Sequence, residues 1–116
     1  MAPGVVRLKD GVQFSTIAPA GFRILSAIDQ CAAALNINLV ITSACDGEHS
    51  GPADPHHTGE AYDVRTHDFP NDALKKQVLD SIMWKLGWDQ FYGFLEAPGT
   101  SNEHIHVQRK KGTVYP

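Results

Sequence analysis

The apolar residues of the chain recur with two periods, and these predict its helices and strands. Apolar side chains follow helical spacing over residues 19–35 and again over residues 70–87, and a proline opens each stretch. Short runs rich in β-branched and aromatic residues predict strands at 38–42, 61–65, 91–95 and 103–108. The chain is therefore predicted to form one α+β domain, residues 1–116, with helices packed on a small, mostly antiparallel sheet.

The composition limits the partners and the location that we expect. The chain has 116 residues, of which 42% are hydrophobic and 20% charged, which is typical of a single globular domain. A formal net charge of −3 argues against binding to nucleic acid or to an anionic membrane surface. A monomer is the simplest expectation for the oligomeric state. The N-terminus lacks a basic segment followed by an apolar core. We therefore expect the chain to stay in the cytoplasm until lysis releases it or a virion carries it.

A loop without periodicity, residues 44–59, leads into the first candidate site residues. It is rich in Gly, Pro, Asp and His, and a loop of this length in a small domain is usually functional or disordered. His56 lies near its end, and Asp63 follows in the next predicted strand. Gly59 between them allows the backbone to turn, so that both side chains reach one ion.

The last predicted strand supplies the remaining candidates. Alternation along 103–108 places His104 and His106 on one face, while the apolar residues that follow each of them enter the core. Together, His56, Asp63 and His106 form a two-imidazole, one-carboxylate zinc site with a fourth position open for water. An open position distinguishes a catalytic zinc from a structural one, so we predict one catalytic zinc ion per chain.

These motifs resemble the zinc peptidases of the D-alanyl-D-alanine carboxypeptidase and VanX D,D-dipeptidase family, which includes phage L-alanyl-D-glutamate endolysins. The family signature is Ser-x-His-x-x-Gly-x-Ala-x-Asp, followed by an acidic residue three positions before a final His. The matching positions in this chain are His56, Gly59, Ala61, Asp63, Glu103, His104 and His106. The resemblance is greatest to the small phage-type members, and it implies the fold shared by hedgehog domains and D-Ala-D-Ala peptidases.

The resemblance also implies a role for each matching residue. His56, Asp63 and His106 would ligate zinc. Glu103 would be the general base that takes a proton from the metal-activated water, and His104 would stabilise the oxyanion. In a regular strand Glu103 and His106 point to opposite faces, so we expect Glu103 on irregular backbone at the strand entrance.

Two positions depart from the family pattern. Asp54 stands where the family has Ser, and Asp46 lies near a position at which many members carry an Arg that binds the substrate carboxylate. Because an acid there would repel a carboxylate, Arg65, on the predicted Asp63 face, is a candidate replacement cation. His49 and Asp46 are further candidates for substrate binding, the alternative being that they order the loop.

Two kinds of function remain open. The first is a zinc-dependent peptidase that hydrolyses a bond in peptidoglycan stem peptides, as a D,D-carboxypeptidase or an L-Ala-D-Glu endopeptidase. The second is a non-catalytic, zinc-containing binding or virion structural module of the same fold. The presence of both Glu103 and His104 favours the enzyme, since a binding module needs no base beside its metal.

Overall fold

The computed structural model describes residues 4–44 and 58–110. Its elements follow the order β1 (Val6–Leu8), α1 (Pro19–Leu35), β2 (Leu39–Ser43), β3 (Ala61–Arg65), α2 (Asp72–Leu86), β4 (Phe91–Glu96) and β5 (His104–Arg109). The predicted α+β class is confirmed, and both predicted helices are present. Neither of these described helices combines the length and apolarity that crossing a membrane requires.

The strands form one five-stranded sheet in the order β1-β2-β3-β5-β4. β1 pairs with β2 in parallel, whereas the pairs β2·β3, β3·β5 and β4·β5 are antiparallel. The sheet is therefore mixed, and the prediction of a mostly antiparallel sheet was wrong in this respect. The reason is that helix α1 carries the chain from the end of β1 back to the start of β2, and such a crossover makes neighbouring strands parallel.

Local sequence signals explain where the helices begin and where α1 ends. Pro19 is the first residue of α1, where its missing N–H costs no hydrogen bond. α1 ends at Asn36, whose φ of 55° lies in the left-handed region and whose N–H bonds back to the last helical turn. Asn71 caps α2, because its side-chain oxygen accepts a hydrogen bond of 2.8 Å from the Leu74 N–H.

Both helices pack on one face of the sheet and leave the other face for the candidate site. The core cluster joins residues of α1 and α2 with Tyr62 and Val64 of β3 and Ile105 and Val107 of β5, all of them fully buried. Because side chains alternate across a strand, the residues between these point away from the helices. We call this second face the site face, and it carries Asp63, Arg65, His104 and His106.

A close approach between α1 and the start of β3 fixes the position of the site strand. A Cβ atom added at Gly21 would lie 2.0 Å from the Gly59 carbonyl oxygen and 2.8 Å from the Tyr62 hydroxyl. The same hydroxyl donates a hydrogen bond of 2.9 Å to the Gly59 carbonyl, and Gly59 itself has a φ of +75°. The backbone entering β3 is thus held against α1 at a distance that only glycine permits.

We predict that Gly21→Ala destabilises the protein by about 1–3 kcal/mol, because the added methyl group overpacks this contact. In an exposed helix position the same change would instead stabilise by about 0.5–1 kcal/mol. Urea unfolding measures the difference, with Asp29→Ala on the exposed side of α1 as the matched control. A stabilised Gly21→Ala variant would show that α1 does not constrain β3 in this way.

Candidate metal centre

The pairing of β3 with β5 brings two of the three predicted ligands together, Asp63 and His106. Asp63 lies directly opposite His106 in the antiparallel ladder. The Asp63 Oδ1 and His106 Nδ1 atoms are 2.9 Å apart, and both residues are buried, with exposed fractions of 8% and 9%. The structure thus places these two side chains in direct contact, and their role as metal ligands stays a prediction.

His104 and Glu96 complete a group of four possible ligands with Asp63 and His106. Glu96, the last residue of β4, lies opposite His104 across the sheet, and its Oε1 atom is 2.8 Å from His104 Nε2. His104 Nε2 is also 3.6 Å from Asp63 Oδ2, and His106 Nδ1 is 4.0 Å from Glu96 Oε1. One ligand atom from each of the four residues lies within 4.8 Å of every other. We call this group the four-residue cluster.

The spacing of these donor atoms fits a small divalent metal ion. Zinc bonds of about 2.0–2.1 Å in a tetrahedron place neighbouring donors about 3.3 Å apart. The contacts of Asp63 and Glu96 with the two histidines, between 2.8 and 4.0 Å, lie on both sides of that value. Imidazole and carboxylate donors are also the ligand types that zinc accepts. Asp63 and His106, with His104 or Glu96, are therefore residues that could hold the ion.

Hydrogen bonds behind the two histidines orient their rings toward the cluster. His104 Nδ1 lies 2.6 Å from the Asn102 carbonyl oxygen, which only accepts, so this nitrogen donates, and Nε2 is the nitrogen that faces the Glu96 carboxylate. His106 Nε2 lies 2.8 Å from the Gln108 side-chain oxygen, which leaves Nδ1 as the nitrogen that faces Asp63. Such outer hydrogen bonds fix the tautomer of metal-binding histidines.

The electrostatics of His106 reflect the carboxylates beside it. Burial by itself lowers the pKa of His106, but hydrogen bonds with Asp63 and Gln108 and the charges of Asp63 and Glu96 outweigh it, and the pKa is raised. A proton on Nδ1 between the ring and Asp63 then occupies the position that a metal ion would take. Because a histidine must be deprotonated to ligate a metal, an ion bound here would compete with this proton.

Aromatic side chains of β4 form a wall beside the cluster. The ring centroid of Phe94 is 5.4 Å from that of His106, and the ring centroid of Tyr92 is 6.4 Å from it. Phe94 is 40% exposed although it is a large apolar residue. These rings offer an apolar contact surface next to the candidate ligands.

Glu103, the predicted general base, lies apart from the cluster. It stands on irregular backbone just before β5, as expected, but its carboxylate is held by Lys75 Nζ at 2.7 Å, the Thr66 hydroxyl at 2.7 Å and the Gly99 N–H at 2.9 Å. The hydrogen bonds from Lys75, from Gly99 and from Thr66 lower the pKa of Glu103 to about 2. Because Lys75 belongs to α2, Glu103 joins the start of β5 to the helical layer.

The remaining predicted site residues lie partly inside and partly outside the described part of the chain. His56, His49 and Asp46 lie outside the described residues, so the third predicted ligand and two substrate-binding candidates stay predictions. Arg65 lies opposite His104 on the site face and lines a cavity with it. Glu96 was missed by the sequence analysis. Its signal was available in principle, since it is the acidic residue that directly follows the strand predicted at 91–95.

Comparison with protein-family models, curated proteins and solved structures finds no match to this chain. The resemblance to zinc peptidases therefore rests on the motif residues alone. Of these, the structure brings Asp63, His104 and His106 together with Glu96, and it bonds Glu103 to Lys75.

We predict that zinc raises the melting temperature of the metal-free protein and that Asp63→Asn abolishes this shift. Zinc at about 100 times its Kd stabilises a protein by about 2.7 kcal/mol, which corresponds to roughly 10 °C for a domain of this size. Differential scanning calorimetry with and without zinc, together with the metal content per chain, measures the effect.

The matched control is Glu103→Gln, whose carboxylate lies outside the four-residue cluster and whose zinc-induced shift should equal that of the wild type. A full shift in Asp63→Asn, or a shift lost in Glu103→Gln with Asp63 intact, would contradict the assignment of the metal centre.

Proposed function

We propose that this chain is a zinc-dependent peptidase that hydrolyses a peptide bond in peptidoglycan stem peptides. The observation that carries the proposal is the four-residue cluster, in which Asp63 and His106 are buried while Glu96 is open to solvent. A structural metal site is closed by its ligands, whereas a catalytic site needs an open side for water and substrate. We also infer the hedgehog and D-Ala-D-Ala peptidase type of fold, which the motifs imply.

Asp63 and His106 would hold the ion, with His56 as the third ligand that the motif implies. When bound, zinc supplies a Lewis acid that polarises the scissile carbonyl and makes water a better nucleophile. The chain's own contribution is to orient the ligands, through the hydrogen bonds of His104 and His106, and to keep the β4 aromatic side chains beside the reacting groups.

Glu96 is better placed than Glu103 to act as the general base. Its carboxylate is exposed on the open side of the cluster, and its Oε1 atom is 2.8 Å from His104 Nε2. A proton accepted by Glu96 is therefore within one hydrogen bond of His104, and this pair can hold it until the leaving amine takes it. Glu103, by contrast, has a pKa lowered to about 2 and an ion pair with Lys75, and both make it a weak base.

One observation favours the alternative, a non-catalytic zinc-containing binding or virion structural module. The acidic motif residue Glu103 is used in a contact between α2 and the start of β5. In such a module the same contact would stabilise the fold, and no base would be needed at the cluster. The two proposals differ in the role of Glu96: the peptidase needs it as the general base, whereas the binding module does not.

We predict that Glu96→Gln lowers the rate of peptidoglycan hydrolysis by at least about 100-fold while zinc stays bound, because general bases contribute about 10²–10⁴-fold. Mass spectrometry of purified peptidoglycan incubated with the zinc-loaded protein measures the release of stem-peptide fragments, and the fragment masses identify the bond cleaved. Glu103→Gln is the matched carboxylate control and should keep most of the activity of the wild type.

The reverse result would reassign the base. If Glu103→Gln is inactive with zinc bound and Glu96→Gln is active, Glu103 leaves Lys75 during the reaction and acts as the motif implies. Peptidoglycan left intact by a wild-type protein that carries one zinc per chain would support the binding module instead.

A further inference from the structure

The end of helix α2 carries the two tryptophans of the chain, and both side chains are open to solvent. Trp84 is 80% exposed and Trp88 is 54% exposed. Together with Asp80, Met83 and Gly87 they line one cavity of about 390 Å³, which we call the tryptophan cavity. Because soluble proteins rarely leave large apolar side chains exposed side by side without a ligand or partner, the cavity is a candidate binding site.

The helix and the turn that follows it build this cavity. Positions 80, 83, 84 and 87 recur at helical spacing and therefore lie along one side of α2. Gly87 follows the last residue of the helix with a φ of +81°, a conformation that favours glycine, and the chain turns there so that Trp88 lines the same cavity. The Trp88 carbonyl accepts a hydrogen bond from Lys110 Nζ, which ties this turn to the residue that follows β5.

The tryptophan cavity is separate from the four-residue cluster. Met83, the buried residue of its lining, packs on β4, because a Cβ atom added at Gly93 would lie 3.0 Å from the Met83 sulfur. The cavity therefore lies on the helical side of the sheet, whereas the cluster lies on the site face, and the two share no described residue. A ligand in the cavity consequently does not compete with one at the candidate metal centre.

The charges around the cavity favour a neutral ligand. The Asp80 carboxylate already pairs with Lys76 Nζ at 2.6 Å, and Lys85 Nζ lies 5.6 Å from the centroid of the Trp84 ring. A cationic ligand would meet the charge of these two lysines, and an anionic ligand would meet Asp80, which lines the cavity itself. The indole rings offer apolar surface to a neutral ligand, and the Asp80 carboxylate offers hydrogen-bond acceptors.

We propose that the tryptophan cavity binds a neutral sugar ring of a glycan. The C–H groups on one face of a pyranose ring can pack on an indole, while its hydroxyl groups donate hydrogen bonds to the Asp80 carboxylate. The cavity volume falls within the range of small-ligand sites, about 300–1,000 Å³. The sugar class follows from the cavity itself, whereas the glycan chain of peptidoglycan as the source of the sugar rests on the proposed function.

Tryptophan fluorescence of the full chain tests this proposal, because both tryptophans of the sequence line the cavity. The probes are the N-acetylglucosamine tetramer, which is a neutral model of the peptidoglycan glycan, and maltotetraose, a neutral glycan of different composition. The deacetylated glucosamine tetramer presents the first chain with positive charges. We expect a saturable change in emission with the N-acetylglucosamine tetramer and at least about fivefold weaker binding of both other probes, a difference of about 1 kcal/mol.

Variants of the cavity identify the side chains responsible. Trp84→Ala should weaken binding at least about fivefold, the order expected for one lost aromatic contact, and Trp84→Phe should keep part of the affinity. Asp80→Asn should weaken binding with both rings in place. Trp88 still reports the emission change in each Trp84 variant. Phe22→Ala is the matched control, because it removes another exposed aromatic side chain, on α1 and outside the cavity, and should leave binding unchanged.

Circular dichroism establishes that each variant is folded. Should Trp84→Ala fail to fold, Trp84→Phe and Asp80→Asn decide the question. The sugar site would be overturned by the absence of a saturable change with both neutral tetramers, by tighter binding of the charged tetramer, or by affinity that the cavity variants leave unchanged. Maltotetraose bound at least as tightly as the N-acetylglucosamine tetramer would support a sugar site and count against peptidoglycan as its source.

Hydrolysis of peptidoglycan, measured separately on the wild type, distinguishes this proposal from the proposed function. Binding of the N-acetylglucosamine tetramer by a protein that leaves peptidoglycan intact would support the sugar site and count against the peptidase. Hydrolysis by a protein that binds none of the sugars would do the reverse.

Discussion

The pairing register between β3 and β5 is the constraint on which the rest of the site depends. Asp63 faces His106 because Val64 and Ile105, and Tyr62 and Val107, form the neighbouring pairs that are buried under the helices. A slip of one residue would move every side chain of the strand to the other face, so that Asp63 would enter the apolar core. The hydrophobic effect on one side of the sheet therefore sets the distance between two polar ligands on the other.

Polar contacts then fix the orientation of the side chains that the strand register brings together. The Asn102 carbonyl and the Gln108 side chain orient the two imidazoles, while Lys75 holds Glu103 at the start of β5. The contacts that hold the side chains of the four-residue cluster therefore belong to the fold itself. This arrangement suits a reactive centre, in which small displacements of the ligands are costly.

Much of the fold could be predicted from local sequence signals, because the limits of a helix or strand and the face on which a side chain lies depend mainly on residues within that element. Pro19 and Asn36 bound α1, and the strand at residues 61–65 has the predicted limits. Alternation also predicted that His104 and His106 share a face. The parallel pairing of β1, the approach of Glu96 and the ion pair of Glu103 with Lys75 were not predictable in this way. Each depends on contacts between elements far apart in the chain, which periodicity does not encode.

The metal centre is tested most directly by a crystal structure of the zinc-soaked protein with anomalous diffraction recorded at the zinc absorption edge. We predict one zinc ion per chain, bonded to Asp63 and to Nδ1 of His106 at about 2.0–2.2 Å, with Glu96 on its open side. The same map would show whether His56 or His104 is the third ligand. A zinc ion bound away from Asp63 and His106, or no ordered zinc at all, would show that the four-residue cluster is not the metal centre.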